Sequence, residues 1–435
     1  MANPNDILGM NARERLYRTL NKSQGKKYAN SKLELKRLME SNTIPTPKLY
    51  ARFASMDEVY DFNFSEISTS FVVKPIGGNG GKGILVIRRK GEAKPYWVDY
   101  EGKSIKSDDV VLHIHDILDG LYSTYGTSHE AFVEERIHIH PRFRRMVFKG
   151  TPDVRVIVFN KVPVMAMLRL PTRESEGRAN LHQGAIGVGI DIATGITLRG
   201  IKNNQIVKRV PDSTKKLNGV KIPSWTKTLE TAVRVSELTG LAFCGVDLFI
   251  DETRGPMVVE VNANPGLSIQ IANGAGLRRR LDRVEGLTIR DLDHGVRVGK
   301  ALFGERFADK VVAEDGLEII ENFPMIKIRS KDGEWFEYKA KVDTGAHRTS
   351  IDRGIAKSLG LLKKRQILWY GDFTSALGVQ KRPVIEAIMK IKSKKISTAV
   401  SVADRSKSLV KILIGRKDLD GFLVKPMPIK EKYAA

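Results

Sequence analysis

Apolar residues recur along this chain with two different periods. At helical spacing they mark Ala12 to Leu20, Leu33 to Glu40 and Met56 to Tyr60, which predicts amphipathic helices over most of residues 1–70. Between them Ile44-Pro45-Thr46-Pro47 forces an extended exit, because proline fixes φ and carries no amide hydrogen. From Phe71 the pattern shortens to apolar runs that predict strands at Phe71 to Val73, Ile84 to Ile87, Ala131 to Glu134, Val154 to Phe159 and Val164 to Leu170. Helical spacing returns at Ser224 to Leu238 and in the basic stretch Arg278 to Arg283. Strand patterns resume at Met325 to Arg329, Trp335 to Val342 and Ile385 to Ile391. The expected architecture is α+β: a helical segment over 1–70, a mixed body over 71–285, helices and a connector over 286–322, and a small all-β domain over 323–435. His113/His115 and His138/His140 have the i, i+2 spacing of one strand face, and a polar strand face accounts for them without a metal.

Within the body, Phe243 to Ile250 and Met257 to Val261 flank the turn-prone Asp251 to Pro256 and predict a hairpin. Side chains alternate along strands, so Asp247, Glu260 and Asn262 are expected to converge on one face. Three oxygen donors suit Mg²⁺, which takes one or two carboxylates together with substrate phosphates. Acidic residues capping a surface hairpin are the ordinary alternative. A second candidate is Phe71-Val72-Val73-Lys74-Pro75, which runs into the glycine-rich Ile76 to Gly83. Glycines let backbone amides approach phosphate oxygens, and Lys74 and Lys82 supply charge. Because strand rather than helix follows, this is neither a Rossmann turn nor a Walker A loop; a flap over phosphates, or a plain flexible hairpin, fits the geometry.

Bulk properties narrow the partners. The 435 residues can bury two or three cores, and a net charge of +23 favours anionic ligands such as nucleotides, acidic peptides or nucleic acid. One cysteine, Cys244, excludes an intrachain disulfide framework and a cysteine-rich zinc site, which points to a reducing compartment, the cytoplasm by default. No apolar run approaches the roughly 18 residues of a membrane span. The N-terminus also lacks the apolar core of a signal peptide.

Taken in order, Lys74 with its glycine loop, Glu134-Glu135-Arg136, Asp153-Val154-Arg155, Arg178-Ala179-Asn180-Leu181-His182-Gln183-Gly184, Asp247 and Glu260-Val261-Asn262-Ala263-Asn264-Pro265-Gly266 resemble an ATP-grasp enzyme. More narrowly, they resemble the RimK-like alpha-L-glutamate ligases over about residues 30 to 285. The resemblance implies an ATP-grasp fold in which Lys32, Lys74 and Arg155 with Arg169 serve the nucleotide, and Gly78, Asn79, Gly80, Gly81, Lys82 and Gly83 form the flap. It places Glu134 and Glu135 in the hinge strand beside adenine, and Arg178 and Asn180 at the transferring phosphate. Asp247, Glu260 and Asn262 become ligands for two Mg²⁺ ions, with Mn²⁺ as a substitute. The implied chemistry is phosphorylation of a carboxylate by ATP and attack by an amine, joining an amino acid, glutamate favoured, to a peptide or protein. His182 is a candidate proton carrier or a structural histidine. RimK-like ligases carry a full α/β domain ahead of the core, whereas about thirty residues precede Lys32 here, which leaves acceptor choice open.

Past Val342 comes Asp343-Thr344-Gly345-Ala346, and later Ile412-Leu413-Ile414-Gly415. The pair resembles a retropepsin-like aspartic protease, of a kind also described as an ATP-dependent zinc protease; no His-Glu-x-x-His or cysteine pair supports zinc. The resemblance implies that Asp343 activates water, Thr344 braces the turn and Gly345 permits close approach in a homodimeric dyad. A peptide-binding barrel with a turn-stabilising aspartate is the alternative. From Met325 onward, 25 lysines and arginines stand against 11 acids, a balance of +14, so an acidic peptide suits this domain. Two other readings stay open: a peptidase or peptide binder with a regulatory ATP-grasp half, and a basic ribosome- or RNA-associated module. No interleaved aromatic platform favours nucleic acid.

Overall fold

A computed structural model describes residues 6–77, 81–90, 96–123, 129–304, 318–375, 378–420 and 422–425. The chain divides into two compact units, Met1–Asp191 with Gly195–Val284, and Ile192–Thr194 with Glu285–Ala435.

The first unit holds two antiparallel sheets. One is built from β1 (Leu49–Phe53), β2 (Phe71–Pro75), β3 (Leu85–Lys90), β4 (Tyr96–Val98), β5 (Ser104–Ile105) and β6 (Ala131–Glu135), in the order β1-β6-β2-β3-β4-β5. The other comprises β7 (Asp153–Phe159), β8 (Val162–Leu170), β9 (Ile186–Ile190), β10 (Thr197–Lys202), β11 (Gln205–Val207), β12 (Phe243–Asp251) and β13 (Gly255–Asn262), ordered β11-β10-β9-β8-β7-β12-β13. β7 and β8 are buried almost throughout, so their sequences read as continuous apolar runs rather than alternation. Helix Trp225–Thr239 packs on the second sheet through Leu229, Ala232, Val233 and Val235, and stops at Gly240, whose φ of +70° is left-handed. Cys244 is buried on β12, and burial pushes its thiol up to about 12, so it stays protonated and inert.

Two expectations need correction. Residues 1–70 are not purely helical, because Leu49–Phe53 is a strand that pairs with β6 and completes the first sheet. His113 and His115 lie on the helix Ser107–Leu118 rather than a strand. The alternation of Leu112 and Ile114 with the two histidines imitates a strand, but the buried positions Val110, Ile114 and Ile117 keep helical spacing and pack against Phe71 and Val133. The N-terminal stretch Ala12 to Leu20 does coil, as a π-helical turn Arg13–Tyr17 followed by a 3₁₀ turn Arg18–Leu20. Tyr17 sets its ring edge-on to Phe159 at 5.4 Å, and the Asn21 carboxamide exchanges hydrogen bonds with the Phe243 backbone at 2.8 and 2.9 Å.

The second unit is dominated by β15 (Met325–Arg329), β16 (Trp335–Asp343), β17 (Ser350–Asp352), β18 (Ile367–Ser375), β19 (Gly378–Ile391), β20 (Lys394–Ala403) and β21 (Ile412–Gly415), preceded by β14 (Glu318–Glu321) and followed by β22 (Phe422–Lys425). The sheet order β15-β16-β21-β17-β20-β19-β18, with β15 also paired to β19, closes six strands into a barrel and leaves β18 as an outer strand. Ile328, Val342, Ile351, Met389, Val402 and Ile414 belong to its core. Helix Leu292–Phe303 falls in the stretch 286–322 expected to be helical, whereas helix Arg353–Ser358 interrupts the stretch expected to be all-β.

Candidate active site

The two sheets of the first unit face each other across a cavity of about 740 Å³. On the first sheet, alternation presents Val72 and Lys74 of β2 beside Phe132 and Glu134 of β6, with Lys74 paired to Phe132 and Val72 to Glu134. Glu134 is buried and clasped by two lysines: Lys36 Nζ lies 2.8 Å from Oε2, and Lys74 Nζ bonds Oε1. Lys36 also donates to the Pro47 carbonyl. Burial pushes the Glu134 carboxyl up, but Lys74 and Lys36 outweigh it and hold it below the usual carboxylate range. Lys32 opens the same helix, Lys32–Ser41, behind the Ser31 cap and lines the cavity. Burial and the nearby Lys74 lower its pKa against the pull of Glu260 and Glu134. Lys36 escaped the sequence reading; its position four residues after Lys32 on one helical face was the available signal.

On the second sheet the register sets Asp247 opposite both Arg155 of β7 and Glu260 of β13, and Asp153 opposite Arg169 of β8. Arg155 grips Asp247 with both Nε and a terminal nitrogen at 2.7 Å. Arg169 holds Asp153 in the same bidentate manner and reaches Asp247 Oδ2 at 2.7 Å. Burial raises the Asp247 carboxyl, but the two arginines prevail and keep it below its ordinary value. The Glu260 carboxylate has no hydrogen bond or ion pair among the described residues, whereas Asn262 Oδ1 accepts the Asn264 amide at 2.9 Å. All three oxygens line the cavity, and two carboxylates beside a carboxamide are a donor set that fits a hard divalent cation. Among the described residues no cluster of three His, Cys, Asp or Glu side chains exists, so the carboxamide is needed to complete such a set.

Gly78, Asn79 and Gly80 lie outside the described residues. Gly81 and Lys82 line the cavity together with Arg178, Ala179 and Asn180. Gly81 sits close enough to Arg178 that a Cβ would meet its Cγ at 3.3 Å. Gly83, with φ of +70°, has Tyr122 where a Cβ would be, and its carbonyl meets His113 Nε2 at 3.0 Å, so His113 anchors the end of the glycine loop. Asn180 Oδ1 accepts the His182 amide at 3.0 Å and caps the turn Leu181–Gln183. His182 does not line the large cavity; it is exposed beside a separate one of about 170 Å³. Glu135 alternates away from Glu134 and forms a bidentate pair with Arg254 at 2.7 and 3.0 Å, also accepting the Lys48 amide. In the second unit, Asp343 ends β16 opposite Gly415 of the parallel β21, and its Oδ1 accepts the amides of Gly345 at 3.0 Å and Ala346 at 3.1 Å.

Compared with known proteins, residues 11–286 match the sugar-transfer associated ATP-grasp family. A probable alpha-L-glutamate ligase of Psychromonas ingrahamii is 33% identical over 129 residues, 29% of this chain and 32% of that protein. One from Thioalkalivibrio sulfidiphilus is 31% identical over 133 residues, 30% and 33% of the two chains. The match therefore spans about a third of the length of these curated relatives. The solved D-alanine–D-alanine ligase of Bacillus anthracis is 15% identical, covers 61% of this chain and 68% of its own, and has a TM-score of 0.35, too remote to bear on function.

Proposed function

We propose, from the premise that this chain belongs to the sugar-transfer associated ATP-grasp family, that its first unit is an ATP- and magnesium-dependent carboxylate–amine ligase. The observation that supports this best is the polarity of the large cavity: Lys32 and Lys74 stand on one side and the oxygens of Asp247, Glu260 and Asn262 on the other. In this reading Lys32 and Lys74 neutralise ATP phosphates, with Lys74 held in place by Glu134, while Arg155 and Arg169 orient Asp247 and Asp153 at the same cavity. The glycine loop closes over the phosphates, and Glu134 and Glu135 belong to the strand beside the adenine. Asp247, Glu260 and Asn262 would hold Mg²⁺, which when bound offsets the charge that develops as the γ-phosphoryl group departs. The γ-phosphoryl moves to a substrate carboxylate, releasing ADP; an amine then attacks the acyl carbon, phosphate leaves and the amine gives up a proton. Arg178 and Asn180, beside the glycine loop, are the side chains assigned to the transferred group. The relatives named above favour glutamate as the amino acid, and the resemblance of the motifs to RimK-like ligases makes a peptide or protein the acceptor of this reading.

Incubating the purified chain with Mg-ATP, glutamate and an acidic peptide is expected to release ADP and to give peptide masses rising in glutamyl steps. ADP release with no covalent product, or no ADP with any amino acid tried, would remove the ligase reading.

The Asp343 turn favours a second reading for the barrel. Its carboxylate is braced by two backbone amides at a strand end, as a water-activating aspartate requires, and one aspartate per chain calls for two chains to make a dyad. In this reading the barrel trims or holds an acidic product. Asp343→Asn keeps an oxygen for both amides, so the barrel should fold normally while trimming is lost and glutamyl ladders lengthen. Ladders of unchanged length at wild-type expression would leave Asp343 a turn residue only.

A further inference from the structure

The segment linking the two sheets of the first unit is chemically lopsided. Residues 136–149 contain four arginines, one lysine and two histidines, and no acid. In the structure this segment forms most of a second cavity, about 380 Å³, lined by Tyr100, Arg136, His138, Arg144 and Lys149 with Ile139 and Val147. No carboxylate is among the lining residues. Tyr100, Arg136 and Lys149 also line the large cavity, so the two spaces share a wall.

The cations here are unequally satisfied. Arg144 leans outward to Glu252, and Lys149 meets Glu101 at 2.5 Å. Arg136 has no carboxylate partner among the described residues; its side-chain partner is the Tyr100 phenol, whose oxygen donates to the Gly150 carbonyl at 3.4 Å. Burial, together with Arg88 and Arg144, lowers the Arg136 pKa, with Tyr100 opposing. A half-buried guanidinium without a carboxylate partner, facing a basic cavity, is stabilised by an anion that enters. Arg142 and Arg145, both exposed, add two further charges to the same segment, so this stretch suits several carboxylates in a row better than one small anion. Stacked bases have no obvious platform: Phe148 is already covered by Lys149 at 5.5 Å and Arg173 at 5.0 Å, and Arg88 lies over Tyr100 at 5.5 Å.

We infer that the Arg136/Arg144 cavity is a docking subsite for the acidic side chains of a peptide, which it holds beside the nucleotide cleft. The ligase reading bears only on why a peptide should be held there; the binding itself stands apart from turnover.

The test uses the full chain and a fluorescent tetraglutamate peptide carrying a photo-crosslinker. Crosslinks are expected within 136–149, and the double variant Arg136→Gln/Arg144→Gln should weaken peptide binding about tenfold, the usual scale for losing charge-assisted hydrogen bonds. The Arg136→Lys/Arg144→Lys variant should recover part of the affinity, and both variants should unfold cooperatively within a few degrees of wild type, which reports folding. Crosslinks confined to residues beyond 323, unchanged affinity in the glutamine variant, or tighter binding of a short single-stranded RNA than of the peptide would each overturn the subsite. If peptide docks as described while no ADP forms with any substrate, the ligase reading fails and the subsite stands.

Discussion

Replacing Lys74 by alanine should lower ATP consumption by about a thousandfold while leaving the chain folded. Its ammonium points into the large cavity from β2 and is fixed there by Glu134, which Lys36 holds from the other side. A preorganised positive charge in a site largely closed to water is worth far more than the same charge in solvent, and loss of one such group typically costs two to three powers of ten in rate, roughly 3–4 kcal/mol. Glu134 keeps Lys36, so the cost to stability is smaller, about 1–3 kcal/mol for a weakened buried pair. Lys74→Gln separates the two effects, because a carboxamide still donates to Glu134 without the charge. ADP release in a coupled assay, read with the melting temperature, distinguishes the outcomes. Turnover within threefold of wild type in Lys74→Ala would show that phosphate binds elsewhere.

The hairpin that carries Asp247, Glu260 and Asn262 was legible because its signals are local: two apolar runs, a turn-rich interval and a two-residue alternation. The helix Lys32–Ser41 and the strands around Lys74 and Glu134 were readable for the same reason. What the sequence hid is partnership. Arg155 and Arg169 read either as residues that serve the nucleotide or as salt-bridged strand residues; in the structure each gives its fork to Asp247 or Asp153, pairs set by a register between β7, β8 and β12 that spans more than ninety residues. Glu135 read beside Glu134 in one strand and lines the same cavity, but alternation turns its carboxylate to Arg254 while Glu134 meets Lys36 and Lys74.

Helix Ser107–Leu118 failed for a different reason, since His113 and His115 alternate with Leu112 and Ile114 and so mimic a strand over those few residues. The barrel came from the resemblance alone, because its closure depends on the pairing of β15 with β19, strands some sixty residues apart. The basic link at 136–149 is legible from charge alone, since its four arginines and one lysine stand without an acid.

Asp247→Ala should destabilise the first unit more than any other single change at the site. The carboxylate accepts three hydrogen bonds from two largely buried guanidinium groups, and removing it strands Arg155 with no acceptor while leaving Arg169 only Asp153. Breaking a buried ion pair from one side typically costs about 3–5 kcal/mol, because the remaining charge is uncompensated. For a unit of this size that corresponds to a fall of roughly 10 °C in melting temperature. Adding Arg155→Met to Asp247→Ala should then restore part of the loss, since the stranded cation goes with it, whereas two independent defects would add. Thermal unfolding of the single and double variants measures this directly, without substrate. ATP turnover should vanish in both, because neither keeps the carboxylate proposed to face the metal, so stability and activity would part company in the double variant. A double variant less stable than Asp247→Ala would mean that Arg155 contributes packing in its own right, and the charge argument for this sheet would have to be given up.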